Sequence, residues 1–178
     1  MTESNKYTAV TGKYTKNGMP NGFTTITPFI VLQNPAEAIE FYKAVFDARV
    51  RDITEFVDDS GNPIIVHAEL DFGTGILQLG AANPSYKLVL PPTEDNACYS
   101  LAIYVADVDQ VFENAVARGA KVREPVSNFV SGDRYASILD SFGVRWSIMT
   151  RIEDLSEEES SQRVREWAKG LSAAEQSQ

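Results

Sequence analysis

The chain is poor in the residues that build reactive centres. Its 178 residues include one cysteine, Cys98, and one histidine, His67. A single cysteine excludes an intramolecular disulfide and any cysteine cage for a metal. A single histidine excludes sites that draw two imidazoles from one chain. Among these are the two-histidine-one-carboxylate iron site and the usual zinc hydrolase sites. No run of about 18 apolar residues is present to span a membrane. Met1 to Asn21 lacks the apolar stretch of a signal peptide, and with one unpaired thiol a cytoplasmic location is the expectation. Basic residues are outnumbered, 16 against 25 acids, for a net charge of −9. That excess repels phosphate backbones, so neither nucleic acid nor a membrane is expected as a partner.

What is present is ordinary globular material, 43% apolar and 23% charged, long enough to bury a core in one domain or two small ones. Residues 1–23 read as a polar arm with a Gly-Met-Pro-Asn-Gly turn at Gly18 to Gly22. Residues 24–82 read β-α-β-β-β. Thr25 to Leu32 is a predicted strand with Ile26, Ile30 and Leu32 on one face and Pro28 marking an edge. Asn34, Pro35 and Glu37 form a predicted capping box for a helix carrying Ile39, Tyr42 and Phe46. Strands are expected over Arg49–Val57, Ile64–Phe72 and Ile76–Ala81.

Residues 83–97 read as a linker, with Pro84, Pro91 and Pro92. The same order then returns in residues 98–151. Ser100–Val105 is a strand, and Asp107 caps a helix with Gln110 at the capping-box position. The predicted helical stripe is Val108, Val111, Phe112, Ala115 and Val116, ended by Gly119. Strands follow over Lys121–Phe129, Tyr135–Leu139 and Val144–Thr150. Ala48-Arg49-Val50 parallels Ala120-Lys121-Val122, so the chain repeats itself at about 72 residues. Residues 152–178 form a third part, an acidic helix opened by a Ser156–Glu159 capping box, with Val164, Trp167, Ala168 and Leu171 as its apolar stripe.

These stretches resemble the vicinal oxygen chelate superfamily, which contains glyoxalase I, extradiol dioxygenases and the bleomycin- and fosfomycin-resistance proteins. The likeness is to its PhnB-like branch. It rests on Thr27-Pro-Phe-Ile-Val with Ala38-Ile-Glu-Phe-Tyr-Lys, then His67-Ala-Glu-Leu and Gly132-Asp-Arg-Tyr. It continues through Asp140-Ser-Phe-Gly-Val-Arg-Trp-Ser and Glu153-Asp-Leu-Ser. The resemblance implies an α+β fold of duplicated β-α-β-β-β modules, with curved mixed sheets around a cavity and a C-terminal helix added. It also implies a homodimer. Alternation agrees: Leu101, Ile103 and Val105, Leu77 and Leu79, and Trp146 and Ile148 would face helices. Ser100, Ala102 and Tyr104, Gln78, and Arg145, Ser147 and Met149 would face the other way.

Metal-using members place His or Glu at one cavity-facing position on each of four strands. Carried onto this sequence, those positions are Thr27, Gln78, Ser100 and Ser147, none of them a strong ligand for a transition metal. The expectation is therefore a protein without metal or other cofactor that binds a small molecule. Its candidate contacts are Thr27, Phe29, His67, Gln78, Ser100, Tyr104, Arg134 and Ser147. His67 and Glu69, two apart on one strand, are weak candidates for proton transfer. The favoured reading of His67 is a structural histidine tied to a neighbouring strand, because no second base or nucleophile is positioned by spacing. Arg134 reads as an anion clamp or as an ion pair with a carboxylate such as Asp140. Two alternatives stay open: a lyase, isomerase or dioxygenase with an atypical metal site at His67 and Glu69, and a dimeric interaction or regulatory module without ligand.

Overall fold

The computed structural model describes residues 8–58, 60–92 and 96–175. The chain divides into two compact units, Met1–Leu90 and Pro91–Gln178. The first opens with a small hairpin, β1 (Thr15–Lys16) and β2 (Met19–Pro20). Then come β3 (Phe29–Leu32), α1 (Pro35–Phe46), β4 (Arg49–Val57), β5 (Pro63–Asp71) and β6 (Ile76–Ala81). The second repeats the series with β7 (Ser100–Tyr104), α2 (Val108–Ala117), β8 (Lys121–Phe129), β9 (Asp133–Leu139) and β10 (Arg145–Arg151), and adds α3 (Glu157–Glu175).

Both sheets have one topology. The strand orders are β3-β6-β5-β4 and β7-β10-β9-β8. In each, the first strand lies parallel to the last and the other pairings are antiparallel. The helix covers one face. Ala38, Ile39, Phe41, Tyr42, Val45 and Phe46 of α1 are buried, together with Ile30, Leu32, Ala68, Leu70, Leu77 and Leu79 of its sheet. Each large side chain so buried contributes roughly 1.5–3 kcal/mol. In the second unit Val108 and Ala115 of α2 are buried with Ala136, Ile138, Trp146 and Ile148.

The repeat extends to irregularities. Pairing of β4 with β5 shifts between Val50 and Asp52, and pairing of β8 with β9 shifts between Val122 and Glu124. Arg51 and Arg123 are thus the extra residues of equivalent bulges, which bend a strand and increase its twist. Arg49-Val50-Arg51-Asp52 and Lys121-Val122-Arg123-Glu124 are the matching segments.

Several expectations are corrected. The first strand starts at Phe29 rather than Thr25, because Pro28 and the preceding bend at Thr25 and Ile26 keep that segment out of the sheet. Ile26 is consequently 80% exposed instead of core. Asn34 precedes α1 without a side-chain capping bond. Val116 of α2 is 37% exposed, because it lies past the edge of the helical stripe that meets the sheet. Within residues 83–97, Pro84–Tyr86 forms a 3-10 turn closed by an Asn83–Leu88 bridge. The expected Asp58–Asn62 turn and this linker each run partly outside the described residues.

The other two caps form as expected. The Asp107 carboxylate accepts the Gln110 N–H at 3.0 Å. The Glu159 N–H donates to Ser156 Oγ at 3.2 Å, while Glu159 accepts the Ser156 N–H at 3.1 Å. On α3, Trp167 meets Phe129 of β8 edge to face at 5.0 Å, and the Ser160 hydroxyl donates to the Ser131 carbonyl. Asp107→Ala is expected to cost about 1 kcal/mol of stability in urea denaturation, the usual loss for an N-cap. Asn34→Ala, which removes no capping bond, is expected to cost less than half of that.

Candidate functional site

Alternation places every second strand residue on the face that the helix leaves open. In the first unit those residues include Phe29 of β3, His67 and Glu69 of β5, and Gln78 and Gly80 of β6, by the pairings Phe29–Gln78 and Glu69–Gln78. They form a connected cluster. Gln78 Nε2 donates to Glu69 Oε1 at 3.2 Å. His67 Nε2 lies 3.5 Å from the same oxygen, and Arg51 Nε lies 4.0 Å from Glu69 Oε2. The His67 ring stacks on Phe29, with centroids 5.9 Å apart.

Phe29 and His67 belong to strands separated by β6, and Gly80 lets them meet. A Cβ at Gly80 would collide with the Val66 carbonyl and stand 3.1 Å from the Phe29 ring. Thr27 precedes β3; its hydroxyl donates to the Thr24 carbonyl at 3.3 Å. The Gln78 N–H donates to the Pro28 carbonyl at 2.9 Å, which keeps this segment beside β6.

The open face of the second unit is lined with hydroxyls. Ser100 Oγ and Ser147 Oγ are 3.3 Å apart. Ser137, fully buried, pairs with Ser147 on β10 and accepts a bond from Arg145 Nε at 3.2 Å. Arg145 Nη2 and the Tyr135 hydroxyl both donate to Glu124 Oε1, at 3.0 and 3.1 Å. Tyr104 stands opposite Met149 and is 59% exposed. Its hydroxyl and the Asp133 carboxylate both favour the charged form of the Arg151 guanidinium.

Arg134 is not part of either face cluster. It has the parity of Ala136 and Ile138, so it points to the α2 side. There Nε and Nη2 grip both oxygens of Asp109 at 2.6 Å, and Nη1 donates to Asn128. The ion pair is with Asp109 and not with Asp140, whose oxygens accept Trp146 Nε1 and the Phe142 and Val144 N–H groups. Arg51, Glu124, Tyr135 and Ser137 were not among the candidates from sequence. Ser137 follows from its register with Ser147; Arg51 does not, because a bulge breaks the two-residue count.

Register also relates the four positions assigned to metal ligands. Phe29 pairs with Gln78 as Ala102 pairs with Ser147. Two residues before Phe29 and Ala102 stand Thr27, ahead of β3, and Ser100, the first residue of β7. Thr27 and Gln78 thus hold in the first unit the places that Ser100 and Ser147 hold in the second; that these are ligand positions is what the resemblance implies. The description "Glyoxalase/Bleomycin resistance protein/Dioxygenase superfamily" matches residues 24–148 of this chain. The chain belongs to this superfamily.

Among curated proteins, the uncharacterized protein Mb0911c of Mycobacterium bovis is 27% identical over 137 residues, covering 75% of this chain and 88% of that protein. Among solved structures, the PhnB protein from Bacillus cereus superposes with a TM-score of 0.57 at 19% identity, covering 71% of this chain and 99% of that one. The fosfomycin resistance protein FosX from Listeria monocytogenes, solved with Mn(II) and sulfate, superposes at 0.56 and 11% identity, covering 82% and 99%. These likenesses share the fold.

A divalent transition metal does not fit the four positions that the resemblance assigns to ligands. Three hydroxyls and an amide offer neutral oxygens without a carboxylate or imidazole among them. Among the described residues, no three His, Cys, Asp or Glu side chains converge on a common point, and no helix is long and apolar enough to cross a membrane.

Two outcomes follow from this geometry. Gly80→Ala is expected to lower the thermal midpoint by several degrees, because its Cβ would press on backbone rather than on a movable side chain. The Arg134 hydrogen bonds hold Asp109 below its ordinary pKa of 3.8. A depressed carboxylate contributes stability above that value and loses it as pH falls through the folded-state value. Asp109→Asn is therefore expected to lower stability at pH 7 and to flatten the acid limb of the stability profile below about pH 4, read by denaturation across pH.

Proposed function

We propose that this protein binds a small organic molecule on the open faces of its sheets, without a transition metal at the superfamily's ligand positions. The observation that carries this reading is the donor set. A scaffold whose ligand positions hold Thr27, Gln78, Ser100 and Ser147 keeps hydrogen-bonding capacity while giving up Lewis acidity. Apolar and aromatic surface from Phe29 and His67 in the first unit, and from Tyr104 in the second, supplies area, and a few polar groups on each face fix orientation, as in small-molecule sites generally.

A thermal-shift screen of metabolites and natural-product fragments tests it. At least one compound is expected to raise the melting temperature by a few degrees, as ligand in large excess over its Kd does. Ser147→Trp, which fills the open face, is expected to abolish that gain while leaving the unliganded midpoint within a few degrees of wild type. Stabilisation that survives Ser147→Trp and Gln78→Leu together would place the site elsewhere.

A second reading draws on His67 and Glu69, which face the same side 3.5 Å apart: a lyase, isomerase or dioxygenase with a displaced metal. Under it, Co²⁺, Ni²⁺ or Zn²⁺ raises the melting temperature and His67→Ala removes the gain.

A further inference from the structure

Residues 8–23 of the N-terminal arm form a folded object that ends on the candidate site. Asn17 and Gly18 adopt positive φ, 50° and 79°, in the two-residue turn that joins β1 to β2. The Gly18 N–H donates to the Val10 carbonyl at 2.8 Å and the Asn21 N–H to the Tyr14 carbonyl at 2.9 Å. The Asn21 side chain donates to the Lys13 carbonyl at 2.9 Å. These bonds make the hairpin and its exit, Asn21 to Phe23, one piece.

That exit rests on Arg51. The guanidinium lies 5.0 Å from the centre of the Phe23 ring, and Nη2 donates to the Asn21 carbonyl at 3.5 Å. Gly22 sits between them with φ of 89°. That φ favours glycine, and a Cβ there, 2.8 Å from Arg51 Nη1, would push the guanidinium aside. Arg51 is the bulge residue of β4, and the same guanidinium reaches Glu69, which holds Gln78 and faces His67.

We infer that the arm is a strap latched on Arg51, and that Arg51 is a positioning residue through which the strap sets the arrangement of Glu69, Gln78 and His67. With the strap seated, Arg51 is shared between the Phe23 ring, the Asn21 carbonyl and Glu69, so Glu69 stays turned toward Gln78. With the strap released, the guanidinium loses two of its three partners and its field on Glu69 changes. Access to the first sheet's open face and the charge presented there change together. The inference builds on the reading of that face as a ligand site. Its geometry, however, involves no ligand, so a screen that finds no binder leaves it standing.

The test uses the full chain with Phe23→Leu and Gly22→Ala, and with Val10→Ala as a control in the same arm. Limited trypsin digestion reads strap release at Lys13 and Lys16. The ring-proton resonance of His67, the chain's single imidazole, reads the cluster. Phe23→Leu is expected to speed arm cleavage about two- to fivefold, the factor that corresponds to one exposed cation–π contact. Both latch variants are expected to move the His67 resonance, with Val10→Ala moving neither readout. Equal cleavage in wild type and both variants would overturn the latch. Faster cleavage with an unmoved His67 resonance would overturn the positioning role of Arg51.

Discussion

Only every second side chain of a strand can lie beneath a helix, and that constraint organises both units. In the first, α1 takes Leu77 and Leu79 of β6 and Ala68 and Leu70 of β5. In the second, the buried set includes Trp146 and Ile148 of β10 and Ala136 and Ile138 of β9. Once these positions are committed to the core, Gln78, Glu69 and His67 have one place to go, as have Ser147, Ser137 and Tyr135. A slip by one residue would bury carboxylates and expose the apolar set, at a cost of several kcal/mol. The polar faces are thus fixed by the same packing that stabilises the fold.

Two departures from regular strand geometry shape the first unit's face. Gly80 removes one side chain from the middle strand and lets rings from strands on either side stack over it. The β4 bulge carries Arg51 toward Glu69, out of the alternation that its neighbours obey. The second unit keeps the bulge at Arg123 but fills its face differently, with serines linked through Arg145 to Glu124. The two faces share topology and register while differing in chemistry: a ring pair with one carboxylate in the first, a row of hydroxyls in the second.

The fold was legible because its signals are local. Gly119, Asp107 and the Ser156–Glu159 box mark helix ends, and strict alternation marks the buried strands. Most strand limits agree within two residues. The failures have physical causes. At Thr25 to Leu32 an apolar alternation was present, but Pro28 and the bend before it hold Ile26 away from the sheet. Asn34 has the chemistry of a cap without the backbone geometry to make its bond. In the site, Gln78, Ser100 and Ser147 were legible from parity, and so was the shared face of His67 and Glu69. The partner of Arg134 was not, because Asp109 comes from a helix 25 residues away in sequence, and no local pattern selects it over Asp140. Arg51 was hidden by its bulge.

The donor set turns this geometry into a claim about chemistry. Under the proposed function, neutral oxygens at Thr27 and Gln78 in the first unit and at Ser100 and Ser147 in the second would orient a ligand by hydrogen bonds without polarising it as a metal ion would. The most direct measurement is amide NMR mapping of a compound that stabilises the protein, recorded after exhaustive chelation and again with Mn²⁺ or Ni²⁺ added back. This account predicts that the compound binds the chelated protein, with shifts centred on the open face of a sheet, at Gln78 in the first unit or at Ser100 and Ser147 in the second, and affinity unchanged by metal. Binding that disappears on chelation and returns with the metal would contradict it.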